Sequence, residues 1–417
     1  MRILELTPAT EKKLLAARIS HDDQAEHVAR RIVGDVRRRG DPALFSWTRK
    51  LDGFGVNAQS LWVSQQEIRA ARTQVSPTFL RAMRQAARNI RRVAEHQLPR
   101  PWSLSVEQGV TILQLIRPIE SVGCYIPGGR SSLVSTLLMT AIPAQVAGVE
   151  RIVVVCPKPN GELLAVAHFL GIQDIARVGG AQAVAALAYG TKSVSRVEKI
   201  CGPGNKYVTA AKQIVSADCA IDLPAGPTEA VVLADRGNPA WIAADLLAQS
   251  EHAPDAASFL VTTSRKLAEK VANEVSVQLG ALASDNPARR SIRFAGGILI
   301  APSRTAACDF VNRFAPEHLS LPLGSQTMAR QIRSSGTIFI GPWGAQPLGD
   351  YISGSNHVLP TAGWARRRGG LSAADFVKCI TVQEISRRGF AHLADGAEAF
   401  ATAENLQAHY NAVRIRR

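Results

Sequence analysis

At 417 residues the chain exceeds what one ordinary hydrophobic core organises, so two or more domains are expected. Its 46% hydrophobic and 20% charged residues are those of a globular protein, and no window of 18 uninterrupted apolar residues offers a membrane span. The formal charge of +15 raises nucleic-acid binding, but the basic residues lie mainly on helical patterns without interleaved aromatics, which excludes the usual single-strand binder and favours solvated basic faces.

The opening "MRILELTPATEKKLLAAR" carries charges where a secretory signal needs an apolar stretch. Six cysteines without a C-x-x-C pair fit reduced, mostly buried thiols, so a cytoplasmic protein is expected. The first ~100 residues read as helical and Arg-rich, with turns at "RRRGDP" and "LDGFG". In "LRAMRQAARNIRRVAEH", Leu80, Met83, Ala87, Ile90 and Val93 form the apolar stripe, and arginines take the other face.

From about residue 110, short β-branched runs alternate with Ala-rich helical ones. "RIVVVC" (151–156), "DIARVGG", "EAVVLAD" (229–235), "SFLVTTS" (258–264) and "GGILIAPS" (296–303) predict strands separated by helices, the arrangement of α/β units with parallel sheets. The alternation occurs twice, around 125–230 and 231–345, and predicts two similar α/β domains. Beyond "RRRGGLS" (366–372) the pattern predicts helices with no strand run, a separate tail.

Four stretches concentrate ligand and acid–base residues. "LAQSEHAPD" offers Gln249 and His252, three apart and so on one face of a helix end. "FAPEHLSLP" offers adjacent Glu317 and His318, "LGDYISGSNHVLPTAG" offers Asp350 and His357, and "AENLQAHYNA" offers Glu404 and His409. Each has an ordinary explanation as a helix cap, a dipole partner or a turn residue. The first three, however, adjoin strands of one α/β domain, where sites are expected at the carboxyl edge of the sheet. Oxygen from Gln or Asp and nitrogen from His, without thiolates, predict a catalytic mixed N/O metal site beside a Glu–His acid–base pair. Glu404 and His409 are five apart, a spacing that does not link them on one face. His21, His27, His96, His168 and His392 have no such setting and read as ordinary surface or core residues.

In the other α/β domain, "CYIPGGRSSLVST", "VGGAQAVAALAYGT" and "CGPGNKYVT" put glycines where strands hand over to helices. Such turns can bring backbone N–H groups to a phosphate, or can be tight turns with no ligand; no G-x-G-x-x-G fingerprint decides between the two.

Taken in order, "YIPGG", "VGGAQA", "GPGN", "AGPTE", "DLLAQSEHAPD", "APEHL", "GDYISGSNHVLPT" and "TVQEIS" resemble the histidinol dehydrogenase family over nearly the whole chain, from about residue 25 to Arg414. The resemblance implies oxidation of L-histidinol through the aldehyde to L-histidine with NAD and one Zn²⁺ per site, in an intertwined homodimer that binds neither nucleic acid nor membrane. It implies Gln249, His252, Asp350 and the other subunit's His409 as zinc ligands, His318 as general base and Glu317 as the base that activates water. Thr228, His357 and Glu404 fall at substrate-contacting positions, together with the ligand residues and His318. Tyr125, Gln182 and Asn205 fall at NAD-contacting positions. The family commonly has serine where "AGPTE" has Thr228. An alternative is a zinc- and NAD-dependent paralogue acting on another polar primary alcohol.

The implied architecture is α/β, with two incomplete Rossmann-like domains and parallel-rich sheets. Its expected divisions are an N-terminal segment (1–20), a discontinuous zinc and substrate domain (21–124 and 231–370), an NAD-binding domain (125–230) and a helical tail (371–417) that swaps across the dimer.

Overall fold

The computed structural model describes residues 1–18, 22–128, 132–224, 226–324 and 326–417, with only the backbone at 326 and 327. The chain begins with β1 (Ile3–Glu5) and α1 (Pro8–Ala16), followed by α2 (Asp23–Arg39), α3 (Asp41–Asp52), α4 (Gln65–Ala71) and α5 (Pro77–Gln97). An antiparallel hairpin, β2 (Trp102–Glu107) and β3 (Val110–Pro118), leads into the first α/β run. That run is β4 (Ser121–Tyr125), α6 (Val134–Ala147), β5 (Arg151–Val155), α7 (Gly161–Leu170), β6 (Asp174–Ala176), α8 (Gly180–Tyr189), β7 (Lys199–Cys201), α9 (Lys206–Val215) and β8 (Ala220–Ile221).

The second run begins with β9 (Glu229–Leu233), α10 (Pro239–Ser250), β10 (Ala257–Thr262), α11 (Arg265–Ala281), α12 (Ala288–Phe294) and β11 (Gly297–Ile300). It continues through α13 (Arg304–Phe314), β12 (His318–Leu321), α14 (Gln326–Ala329), β13 (Thr337–Ile340) and α15 (Gln346–Tyr351). The chain finishes with β14 (Val377–Ile385), α16 (Arg387–Ala403) and α17 (Gln407–Arg414).

Both runs fold into parallel sheets of the same winding. The first has the order β6-β5-β4-β7-β8; the second has β11-β10-β9-β12-β13, extended at its outer edge by β1. Each sheet reverses strand order beside its first strand, between β4 and β7 and between β9 and β12. Strands β4 and β9 are buried along their whole length, because helices cover both faces of a doubly wound sheet. This is the expected pair of incomplete Rossmann-like units.

Three features differ from the sequence expectation. The segment after residue 372 does contain a strand: β14 pairs with β3 over nine residues in a small antiparallel sheet. Its residues are almost all exposed, so no apolar face marked it as a strand. The N-terminal segment is not only helical, since β1 adds a parallel edge strand against β11. The grouping of 21–124 with 231–370 also differs from the packing. The stripe of α2, with Ala29, Ile32, Val33 and Val36 buried, packs on α8 and α9, while α5 packs on α6 and α4 on α7. The helices of 23–97 thus cover the five-stranded sheet, because their apolar stripes fit its helices.

All six cysteines are free, and all but Cys379 are buried. Among the described residues no helix is long and apolar enough to cross a membrane.

Candidate active site

The second sheet gathers its polar residues at an unexpected edge. Glu229 opens β9 and His318 opens β12, so the cluster lies at the amino ends of the strands flanking the switch point, not at the carboxyl edge. Helix α10 explains the choice. It starts beyond the carboxyl end of β9, capped by Asn238 with Pro239 in its first turn, and runs back antiparallel to the sheet. Its last turn therefore delivers Gln249 to the amino edge.

Gln249 is buried, and its Nε2 donates to Thr228 Oγ1 and lies 3.4 Å from His318 Nδ1. Thr228 Oγ1 in turn donates to Glu317 Oε2 at 2.5 Å, and the Glu229 N–H donates to the same oxygen at 2.9 Å. His318 Nε2 lies 3.3 Å from Asp350 Oδ1, and its ring stacks against Phe339. Glu317, His318 and Asp350 are all buried, so their charges act on one another in a poorly screened setting. Burial opposes a charged His318 ring, but Glu317 and Asp350 more than offset this and lift its pKa to about 10. For Asp350, burial favours the neutral acid, yet the neighbouring His318, His357 and His252 hold its carboxyl below the usual range.

His252 does not share a helix face with Gln249, as the spacing had predicted. Helix α10 ends at Ser250, and His252 stands exposed in the following turn with Nδ1 against the Ala248 carbonyl at 3.2 Å. That bond places the proton on Nδ1 and leaves the Nε2 lone pair free in the neutral ring. His357 is more deeply engaged: Nδ1 donates to the Asp350 carbonyl at 2.8 Å, and Nε2 faces Thr136 Oγ1 at 3.1 Å. Thr136 belongs to α6 of the other unit, so the 350–357 loop joins the two units at the site. Asn356, donating to the Met139 carbonyl at 2.7 Å, repeats the connection.

Glu404 caps the end of α16 and His409 lies on α17, both exposed. Among the described residues, no hydrogen bond or ion pair links either to the cluster. Nor do the described residues contain a cage of three His, Cys, Asp or Glu side chains. Of the expected ligands, one chain's described residues bring Gln249 and Asp350 to the His318 ring, with His252 near enough to help hold the Asp350 carboxyl down. This donor set is a fragment that suits a borderline N/O-seeking cation once another imidazole joins it.

Tyr125, Gln182 and Asn205 occupy the carboxyl edge of the first sheet, around its switch point. Tyr125 accepts from the Gly180 N–H at 3.0 Å, and burial pushes its phenol pKa upward. Gly180 has φ +63, and a side chain there would strike Gln182. Gln182 is fully buried, with Nε2 donating to Asp52 at 3.1 Å and Oε1 left without a partner. A buried orphan acceptor beside the uncapped N-terminus of α8 fits a ligand bearing hydroxyl and phosphate groups. Asn205 caps α9, its Oδ1 accepting from Tyr207 and Val208. The turn before it is braced from below by a buried pair, Lys212 and Asp222, which also hold the carbonyl and N–H of Gly202.

Sequence reading missed Arg18, Asp52, Thr136 and Glu229. Glu229 left one signal, a charge at the head of the otherwise apolar run "EAVVLAD". Asp52 was visible only as part of a turn. His27, His96 and His392 are exposed and His168 is partly so, as expected; His21 lies outside the described residues.

The sequence pattern of the family described as histidinol dehydrogenase matches residues 16–417. The histidinol dehydrogenase of Lactococcus lactis subsp. lactis is 41% identical over 401 residues, covering 94% of this chain and 93% of its own. That of Methanothermobacter thermautotrophicus is 45% identical over 408 residues, covering 96% and 95%. The crystal structure of histidinol dehydrogenase from Elizabethkingia anophelis superposes with a TM-score of 0.93 at 36% identity, over 100% of this chain and 98% of that one. By sequence along its length and by fold, the chain belongs to the histidinol dehydrogenase family.

Proposed function

We propose that this protein oxidises L-histidinol through the aldehyde to L-histidine, the last steps of histidine biosynthesis, in the cytoplasm. The observation that carries the reading is the buried network Gln249–Thr228–Glu317 beside His318 and Asp350, at the switch point of the second sheet. An acid–base pair and a half-built metal shell share one site there. When bound, NAD⁺ supplies the hydride acceptor and Zn²⁺ a Lewis acid that orients the substrate nitrogens.

The chain's own residues do the rest. Gln249, His252 and Asp350 would hold the metal, with His409 of a second copy in a homodimer whose tails cross over. His318 takes the hydroxyl proton, first of the alcohol and then of the hydrated aldehyde, which requires its neutral ring. Its two anionic neighbours, Glu317 and Asp350, make that ring a strong proton acceptor. Glu317, held by Thr228 and the Glu229 N–H with an oxygen fixed in place, accepts a proton from water at the aldehyde stage. Thr228, His357 and Glu404 contact the substrate. Tyr125, Gln182 and Asn205 bind NAD in the unit formed around 125–230, and residues 231–370 carry the zinc and substrate.

The test is steady-state NADH production from L-histidinol after zinc is restored to chelated protein. Two NADH per histidine are expected. Turnover of other polar primary alcohols with none of L-histidinol would overturn the reading in favour of a paralogue.

A further inference from the structure

The N-terminal segment ends on a side chain that touches both sides of the switch-point crevice. The Arg18 side chain is only 10% exposed. Its Nε donates to Glu229 Oε1 at 2.6 Å and its Nη2 to the second carboxylate oxygen. Its Nη1 donates to the Phe314 carbonyl, Nη2 lies 3.5 Å from the Ala315 carbonyl, and the guanidinium sits 3.7 Å from the Phe314 ring centroid.

Both anchor points lead directly to the acid–base pair. Phe314 ends α13, and Ala315, with φ +50, turns the chain through Pro316 into Glu317 and His318. A left-handed alanine persists only where its surroundings hold it. On the other side, Glu229 lends its N–H to Glu317 at 2.9 Å, and its carbonyl lies 3.4 Å from His318 Nδ1. One planar fork thus ties the residue whose backbone cradles the pair to the turn from which the pair projects.

We propose that Arg18 is a positioning residue for the oxidation, stapling the leading ends of β9 and β12 so that Glu317 and His318 keep their mutual geometry. It reaches the site because β1 and α1 carry the chain along the six-stranded sheet. The proposal rests on the roles of Glu317 and His318 given above. A guanidinium is needed because a single ammonium lacks the spread of donors to serve a carboxylate and two carbonyls together.

The experiment compares Arg18→Ala, Arg18→Lys and His318→Asn in the full-length, zinc-loaded enzyme. For Arg18→Ala, kcat should fall about 10–100-fold while KM for L-histidinol changes little, since reacting groups are misplaced without losing substrate contacts. Arg18→Lys should fall between it and wild type, and millimolar guanidinium should restore kcat to Arg18→Ala in a saturable manner. Arg18→Ala that is lower in melting temperature but wild type in kcat would overturn the proposal, leaving the pair a purely stabilising one. A loss of kcat that guanidinium does not relieve, in protein still folded at the assay temperature, would overturn it as well. Full activity in His318→Asn would instead sink the assignment of the base, which separates the two failures.

Discussion

Thr228 Oγ1 stands between Gln249 and Glu317, accepting from the amide of one and donating to the carboxylate of the other at 2.5 Å. A proposed metal ligand and a proposed water-activating base therefore share a single hydroxyl. Thr228→Ser preserves that hydroxyl and should keep kcat/KM for L-histidinol near wild type. Thr228→Val keeps the shape, leaves both partners short of a bond, and should lower kcat/KM about 10–100-fold, the worth of a hydrogen bond to a charged group. Equal kinetics for the two variants would show that the hydroxyl is a bystander.

Glu317→Gln should separate the two oxidations. Water is taken up only at the aldehyde stage, so alcohol oxidation by way of His318 should survive better than conversion of the aldehyde to histidine. Single-turnover assays starting from L-histidinol and from L-histidinal measure the two halves. Equal losses in both would mean that Glu317 and His318 act as one unit.

His252→Ala and Asp350→Ala should each lose zinc and turnover together. Removal of a direct ligand is expected to cost more than the ~10–100-fold typical of an outer partner. Metal content per folded protein, measured beside the rate, checks this. Full zinc occupancy in either variant removes that residue from the ligand set.

The tail offers a test by complementation. Within one chain α17 packs on α16, and Phe400 and Ile415 remain 73% and 83% exposed. Those apolar faces need a cover, which a second copy can provide. Mixing inactive His409→Ala with inactive His252→Ala should place both defects in one site of each mixed dimer and leave the other site whole. Random exchange makes half of the dimers mixed, so about a quarter of wild-type activity should return. Demonstrated subunit exchange without recovery would show that the tail serves its own chain.

Asp245 lends itself to a pH test. Burial raises its pKa to about 6, and no partner among the described residues offsets this. An acid with a raised folded pKa contributes stability that is complete below its unfolded value, near 4, and is lost as pH rises through about 6. The stability of Asp245→Asn relative to wild type should therefore grow between pH 4 and 7, by about 3 kcal/mol at most. Urea midpoints at several pH values measure it, and parallel profiles for the two proteins would mean that Asp245 is ionised without penalty.

Short-range pattern alone specified much of this protein. The β-branched runs "RIVVV" and "EAVVL" are strands whose valines are buried, because both faces of a parallel sheet are covered and a near-continuous apolar run suits that setting. The proximity of Glu317 and His318 was legible because they are adjacent, and the family motifs carried Gln249 and Asp350 to the same site. What tertiary structure decided is where these pieces meet. That the second sheet uses its amino edge follows from the direction in which α10 returns, which no local spacing encodes. Strand β14 is held by backbone bonds to β3, more than 250 residues away in sequence, while its own side chains face solvent and show no stripe. The Arg18 contacts with Glu229 and Phe314 span 211 and 296 residues. Such pairings depend on how whole layers stack, and a buried ion pair leaves no periodic trace in the sequence of either partner.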